Sequence, residues 1–439
     1  MPRFLARHGW YWLIAAALVS LPSAAWAQIR SDVPKLIKVT DRVYCATGYA
    51  LANVIYVITD ESLVVIDTPE SPAAAAATLE AMRKFTDKPI RRLIYTHFHG
   101  DHCNGARSFA ADKPEIIAQA LHVEEMGKYR ALAMYNGRLN GLQFGFSLPP
   151  KERGISLAFE PGKLVIGYMP PTKTFDDKLE FEEGGVRFEL RHAPGETNDH
   201  LYVWLPDERI ACCGDLYYNS FPMLASPMKH ERPVATWADS LQRIREHKPE
   251  HLVPSHSDPV SGAAVVDDVL DHYIAAIRFV DSEMIKYLNQ GLSLAEIQRK
   301  LKLPPELAAK PYLQPLYGRV EWGVAGAYRN YTGWYDFNPT HLNPALPQEV
   351  HQALFEAAGG AEPLVARAQK AADDSNWQLV LEVTEIVRTV EPKNGAMNEL
   401  RAQAFTELAN RATSSVEKNI YRAAALEHRK QLKRAAAKP

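Results

Sequence analysis

The stretch from Arg92 to His102 constrains this chain more than any other. Arg92-Leu93-Ile94-Tyr95-Thr96 reads as a buried strand, and it delivers the chain into His97-Phe98-His99-Gly100-Asp101-His102. In an extended strand-to-loop segment, side chains two apart project the same way, so His97 and His99 are placed to meet one ion. Asp101 and His102 turn in the following loop toward a second ion, about 3.5–4 Å away as in bimetallic hydrolytic sites. Imidazole and carboxylate donors in this mixture suit zinc. Coincidence is the rival explanation, and it is a poor one for a chain with only 15 histidines.

The pattern around that segment is layered α/β. Asn53–Ile58 and Ser62–Asp67 are β-rich runs split by the turn Thr59-Asp60-Glu61. Ser71 to Phe85 is Ala-rich, with Leu79, Met82 and Phe85 at helical spacing. Further strand pairs are expected at Leu179 to Leu190, turning at Gly184-Gly185, and at Leu201 to Ala211, turning at Pro206-Asp207. Alternation of this kind persists to about Ser261 and indicates layers of helix and sheet. After Gly262 the strands stop. Val265–Asn289, Leu294–Leu301, Gln348–Ala358, Leu364–Ala372, Trp377–Val390 and Ala396–Leu408 all space their apolar residues as helices do, with one Pro-rich interruption at Leu303 to Pro315. The expected organisation is a leader over residues 1–27, an α/β domain over 28–264 and an all-helical module over 265–439. That module is either structural or closes a dimer.

The leader is read from three features. Arg3 and Arg7 precede an apolar run, Trp10 to Leu21, that is too short to span a bilayer comfortably. Ala25-Trp26-Ala27 then offers small residues at signal-peptidase spacing ahead of Gln28, so a cleaved signal peptide and a periplasmic or secreted location are expected. Removing Arg3 and Arg7 from the 50 basic residues leaves 48 against 52 acidic ones, a net charge of −4. That balance argues against nucleic acid or an anionic membrane as partner. The basic stretch His428 to Lys438 reads as a solvated helix end. Cys45, Cys103, Cys212 and Cys213 are few for an exported chain, and their spacing supports no essential disulfide.

The motif His97-x-His99-x-Asp101-His102 at a strand end, preceded by Val64-Val65-Ile66-Asp67-Thr68-Pro69-Glu70-Ser71, resembles the metallo-β-lactamase superfamily. The resemblance implies an αββα sandwich with two metal ions at one edge. It also implies later ligand motifs in order, and this sequence carries Pro194-Gly195-Glu196, Cys213-Gly214-Asp215 and Val253-Pro254-Ser255-His256. The implied ligands are His97, His99, Glu196, Asp101, His102, Asp215 and His256, with Asp215 bridging. Glu196 stands where the common pattern has His, which is similar to the alkyl sulfatases. Pro311 to Pro344 is similar to the helical dimerisation segment of those enzymes, and WADSLQRI and LVPSHSDPVSGA fit as well. No counterpart of the sterol-carrier-like C-terminal domain of the longest members is evident.

What the resemblance implies is a hydrolase with two Zn2+ per chain that cleaves sulfate esters of alkyl alcohols by a metal-activated water. Its partners are a small ester substrate with an apolar chain and a second copy of itself in a homodimer. Asp101, Asp215 and Arg232 are the residues expected to act in catalysis, Arg232 by stabilising charge on the sulfate oxygens. Glu196 should make the first ion a somewhat poorer Lewis acid than a neutral His would. The family's other sulfate-gripping Arg falls at Pro227 by position, and Lys229 offers only a point charge nearby. Nearby His192, His200 and His230 are not read as ligands; His200 is read as supporting one. Other readings stay open: the same fold acting on a lactone, β-lactam, phosphodiester or thioester, a non-catalytic metal-binding scaffold, or an iron-dependent oxidoreductase.

Overall fold

The computed structural model describes residues 33–154 and 165–436. The expected leader, residues 1–27, lies outside the described residues. Two sheets form the centre. The first runs β1 (Lys35–Lys38), β2 (Val43–Thr47), β3 (Val54–Ile58), β4 (Leu63–Ile66), β5 (Ile90–Ile94), β6 (Glu115–Gln119) and β7 (Lys173–Phe175), in that spatial order. Its pairings are antiparallel from β1 to β4 and parallel from β4 to β7. The second sheet holds β8 (Lys178–Glu183), β9 (Val186–His192), β10 (Leu201–Leu205), β11 (Ile210–Gly214), β12 (His251–Pro254) and β13 (Val260–Ser261), ordered β13-β12-β11-β10-β9-β8. Here only β11 and β12 run parallel. Strands β2 and β4 are buried throughout, as strands covered on both faces are; β4 is apolar along its whole length and β2 up to Thr47.

The helices of the sandwich are α1 (Pro72–Met82), α2 (Gly100–Cys103), α3 (Leu121–Ala131), α4 (Ala133–Gln143) and α5 (Val234–Glu246). Ser71 caps α1 by accepting the Ala74 N–H, with Pro72 pre-set for the first turn. This helix carries the chain across from β4 to the parallel β5. Three apolar layers hold the stack together. Ile55, Val64 and Ile94 meet Leu190, Val203 and Cys212 between the sheets. Tyr56, Met82, Tyr95 and Phe109 pack on the outer face of the first sheet. Trp237 and Leu241 of α5 join Trp204 and Leu252 on the outer face of the second. The fold is therefore an αββα sandwich followed by helices.

Those helices are α6 (Ala263–Asn289), α7 (Leu294–Lys300), α8 (Pro305–Ala308), α9 (Val320–Tyr331), α10 (Pro347–Ala357), α11 (Ala361–Asp373), α12 (Trp377–Val390), α13 (Gly395–Arg411) and α14 (Ser415–Ala436). The outer core under α5 continues through Ile277 and Val280 of α6 to Ala327 of α9, so packing runs across the 264/265 boundary expected from sequence. Helices α11 to α14 pack in consecutive pairs with a small core of their own around Trp377 and Val380. The last helix returns to the sandwich: Asn419 donates to the Gln143 carbonyl at 2.8 Å and accepts the Gly154 N–H at 2.7 Å. Helix α14 thus braces α4. One expectation needs correction. His428 is buried rather than solvated, with its Nδ1–H donating to Asn398 Oδ1 at 2.6 Å and its Nε2 accepting from Arg401 at 3.2 Å. Of the aromatic residues after Gly318, Tyr328 is buried while Tyr331 and Trp334 are exposed. All four cysteines are buried and free. Among the described residues no helix is long and apolar enough to cross a membrane.

Candidate metal centre

Strand direction gathers the chemistry at one edge of the sandwich. Asp67, the His97–His102 loop, Glu196, Asp215 and His256 follow the carboxyl ends of β4, β5, β9, β11 and β12 respectively. Backbone hydrogen bonds tie the two sheets there, from Leu201 N to Thr96 O at 2.8 Å and from Asn53 N to Ser255 O at 2.7 Å. All seven expected ligands meet in this place. His97, His102 and Asp215 offer ligand atoms within 4.8 Å of one another, as do Asp101, His102 and His256, and as do His99, Glu196 and Asp215. Asp215 belongs to two of these groups and lies between them. Its Oδ2 is 3.9 Å from His97 Nε2, 3.5 Å from His102 Nε2 and 3.2 Å from His256 Nε2.

The ring orientations follow from what lies behind each imidazole. Asp67 is fully buried and accepts the Thr96 N–H at 2.8 Å, the Thr96 hydroxyl at 2.9 Å, the Ser255 hydroxyl at 2.6 Å and His102 Nδ1–H at 2.8 Å. Because the Thr96 hydroxyl donates to Asp67, its oxygen takes the Nδ1–H of His97 at 3.1 Å. His256 likewise donates Nδ1–H to the Leu51 carbonyl at 3.0 Å. In all three rings Nε2 is left facing the cluster, as a metal-binding histidine requires. His97 Nε2 and His99 Nδ1 stand 2.9 Å apart, close enough to share one ion. Gly214 matters here for a steric reason: its φ is +55, and a Cβ would fall 2.6 Å from His200 Nε2. That nitrogen accepts the Asp215 N–H at 3.0 Å, so His200 holds the backbone of Asp215.

The electrostatics suit cations. Burial pushes His97 and His99 well below the ordinary imidazole range, with His102 and His99 adding to it at His97 and the Lys229 charge at His99, which leaves both neutral. Burial works the same way on His102 and His256, but Asp215 and Asp101 outweigh it and raise both, His256 to about 9. Those protons would leave when a cation binds. His102 Nε2 and Asp215 Oδ1 are buried without a hydrogen-bond partner. Buried polar atoms seldom go unpaired, and two of opposite kind aimed into one carboxylate–imidazole cluster fit a metal site.

Arg232 sits behind a candidate ligand. Its Nη1 donates to Glu196 Oε2 and, at 2.7 Å, to the Met223 carbonyl. It is buried and lines a small recess beside His99, Glu196 and Lys229, outside the lining of the main cavity. Asp67 was not among the residues expected to act, although its position after an apolar strand was visible. The cavity itself, about 240 Å³, opens over His99, Asp101, Glu196, Asp215 and His256, and Leu51, Phe98, Met126, Tyr129, Phe144 and Ile166 make much of its wall.

Comparison with known proteins agrees with this architecture. Residues 48–256 match the metallo-beta-lactamase superfamily, and residues 293–431 match the alkyl sulfatase dimerisation family. A linear primary-alkylsulfatase from Pseudomonas sp. is 30% identical over 387 residues, which cover 84% of this chain and 72% of that protein. The chain belongs to the alkyl sulfatases of the metallo-β-lactamase superfamily. Another alkyl sulfatase relative, the alkyl/aryl-sulfatase BDS1 of Saccharomyces cerevisiae, is 28% identical, and this chain spans only 65% of its length. The solved structure of the stereoselective inverting sec-alkylsulfatase Pisa1 from Pseudomonas sp. superposes with a TM-score of 0.85 at 25% identity, covering 91% of this chain and 66% of that one.

Proposed function

We propose that this chain is an exported dizinc hydrolase that cleaves sulfate esters of alkyl alcohols. The observation that carries the reading is the seven-donor cluster at the floor of a largely apolar cavity. When bound, two zinc ions would lower the pKa of water toward neutrality and draw charge from the ester oxygens. His97, His99 and Glu196 would hold one ion, Asp101, His102 and His256 the other, and Asp215 would be shared. Asp67 and Thr96 orient the imidazoles behind them. Arg232 holds Glu196 in place and offsets its charge in a buried setting. Leu51, Phe98, Met126 and Phe144 offer an alkyl chain a surface that excludes water, which strengthens every charge interaction at the floor.

The relatives' names support sulfate esters over other substrates of the fold. The dimerisation family match supports a homodimer, and Arg3, Arg7 and Ala25-Trp26-Ala27 support export. A substrate panel on zinc-loaded mature protein tests the reading: dodecyl sulfate, nitrocefin, a homoserine lactone and bis-nitrophenyl phosphate. Sulfate release from dodecyl sulfate is expected, lost in Asp215→Ala and His99→Ala together with the bound zinc. Turnover confined to one of the other three would replace sulfate ester with that substrate, and full activity in either variant would refute the site.

A further inference from the structure

The cavity over the metal centre contains a cation that the ligand set does not use. Of the two lysine or arginine side chains on its wall, Arg130 lies over the Tyr168 ring, 4.6 Å from the centroid. The other is Lys229. It follows the stretch Leu224 to Met228 and reaches back to α4, where its Nζ donates to Asn140 Oδ1 at 2.6 Å. Asn140 is itself held, since its Nδ2 donates to the Tyr129 hydroxyl at 2.8 Å. An ammonium has three N–H groups, and this arrangement commits one. Lys229 faces His99, Asp101 and Glu196 across the cavity and also lines the small recess containing Arg232. Burial lowers its pKa to about 8, so it remains mostly charged at neutral pH in a poorly hydrated setting.

We propose that Lys229, steadied by Asn140 on α4, anchors the singly charged sulfonyl-oxygen head of the substrate at the metal-facing end of the apolar wall. The proposal rests on reading this cavity as the substrate site. Its physical basis is that Arg232 lies outside the main cavity with its Nη1 given to Glu196 and Met223, while Lys229 stands on the cavity wall beside the candidate ligands with one N–H committed to Asn140 and two left to offer. A point charge on a flexible stem accepts a tetrahedral head without demanding the two-pronged geometry an arginine imposes. The competing role for Lys229 is charge balance for Asp101 and Glu196, and that role would show in metal content.

The test is calorimetric binding of octane-1-sulfonate, which carries the head and chain but cannot be hydrolysed, to the zinc-loaded enzyme. Lys229→Met is expected to weaken binding about ten- to a hundredfold, the range for losing one hydrogen bond to a charged group. Asn140→Asp, which sets a carboxylate against the ammonium, should weaken it in the same direction, and Lys229→Arg should recover most of the loss. Zinc content and octan-1-ol binding should stay at wild-type level in Lys229→Met. Unchanged sulfonate binding in Lys229→Met, loss of zinc from it, or no sulfonate binding by the wild type would each overturn the proposal. Lys229-dependent sulfonate binding by an enzyme that hydrolyses no alkyl sulfate would uphold the anchor while removing the sulfatase reading.

Discussion

Asp67 holds a φ of 61, a left-handed conformation that residues with a β-carbon generally avoid. Four donors converge on its carboxylate, and that network keeps the backbone there. Asp67→Asn should therefore lower metal affinity about 10- to 100-fold, the usual cost of disturbing groups behind metal ligands. Competition with a chelating dye measures this, and wild-type affinity in the variant would contradict the assignment. Arg232→Met leaves Glu196 buried without its partner, at a cost of about 3–5 kcal/mol in the metal-free protein. Zinc would supply the missing positive charge, so the loss should shrink in the loaded form. Urea unfolding of both forms checks it, and equal losses would show that Arg232 does not serve Glu196. At this scale the sequence was most readable: spacing alone picked out the His97–His102 loop, and the family pattern supplied Glu196, Asp215 and His256. The bond from Arg232 to Glu196 was not readable, because position along the chain does not say which way a guanidinium points.

At the scale of elements, periodicity served the long helices and failed the cavity wall. Trp377–Val390 has the bounds expected of it, and Ala263–Asn289 is longer by two residues at its start. Helices α3 and α4 were not foreseen. They carry Gly127, Gly137 and Gly141 among polar residues and bury little, so no apolar stripe announces them. Tertiary support from α14 stands in for propensity there. Strand β7 was missed for its shortness, three residues, and β6 was not foreseen either. In the C-terminal helices, burial and then the Arg401 and Arg388 charges lower the His428 pKa to about 4 from 6.5. The fold thus binds the neutral ring, while the unfolded chain takes up a proton near 6.5. The resulting stability is full above that value and is lost as pH falls toward 4. Urea unfolding between pH 7.5 and about 4.5 should show a steeper acid loss for wild type than for His428→Gln. Parallel curves would contradict the role given to this histidine.

For the whole molecule, the arm between α9 and α11 is unusual. No residue of helix α10 is fully buried, although His351 hydrogen-bonds Thr389 of α12 at 2.7 Å, and Trp334 and Phe337 are 75% and 84% exposed. Leu342, Leu346, Val350 and Leu354 extend the same apolar run within the dimerisation family match. An exposed stretch of this kind marks an interface. The wild type should sediment as a dimer, and Trp334→Glu combined with Leu346→Glu as a monomer; a dimeric double variant would place the interface elsewhere. Layered architecture was legible from the strand alternation, but how α14 returns to brace α4 was not, because that contact joins residues more than 250 positions apart.

The proposed function starts from two cations held at one sandwich edge. The most direct measurement is zinc per chain in purified protein, taken alongside sulfate release from dodecyl sulfate before and after chelation. Two zinc ions per chain are expected, with turnover abolished by the chelator and restored by added zinc. Undiminished sulfate release from metal-free protein would contradict the account.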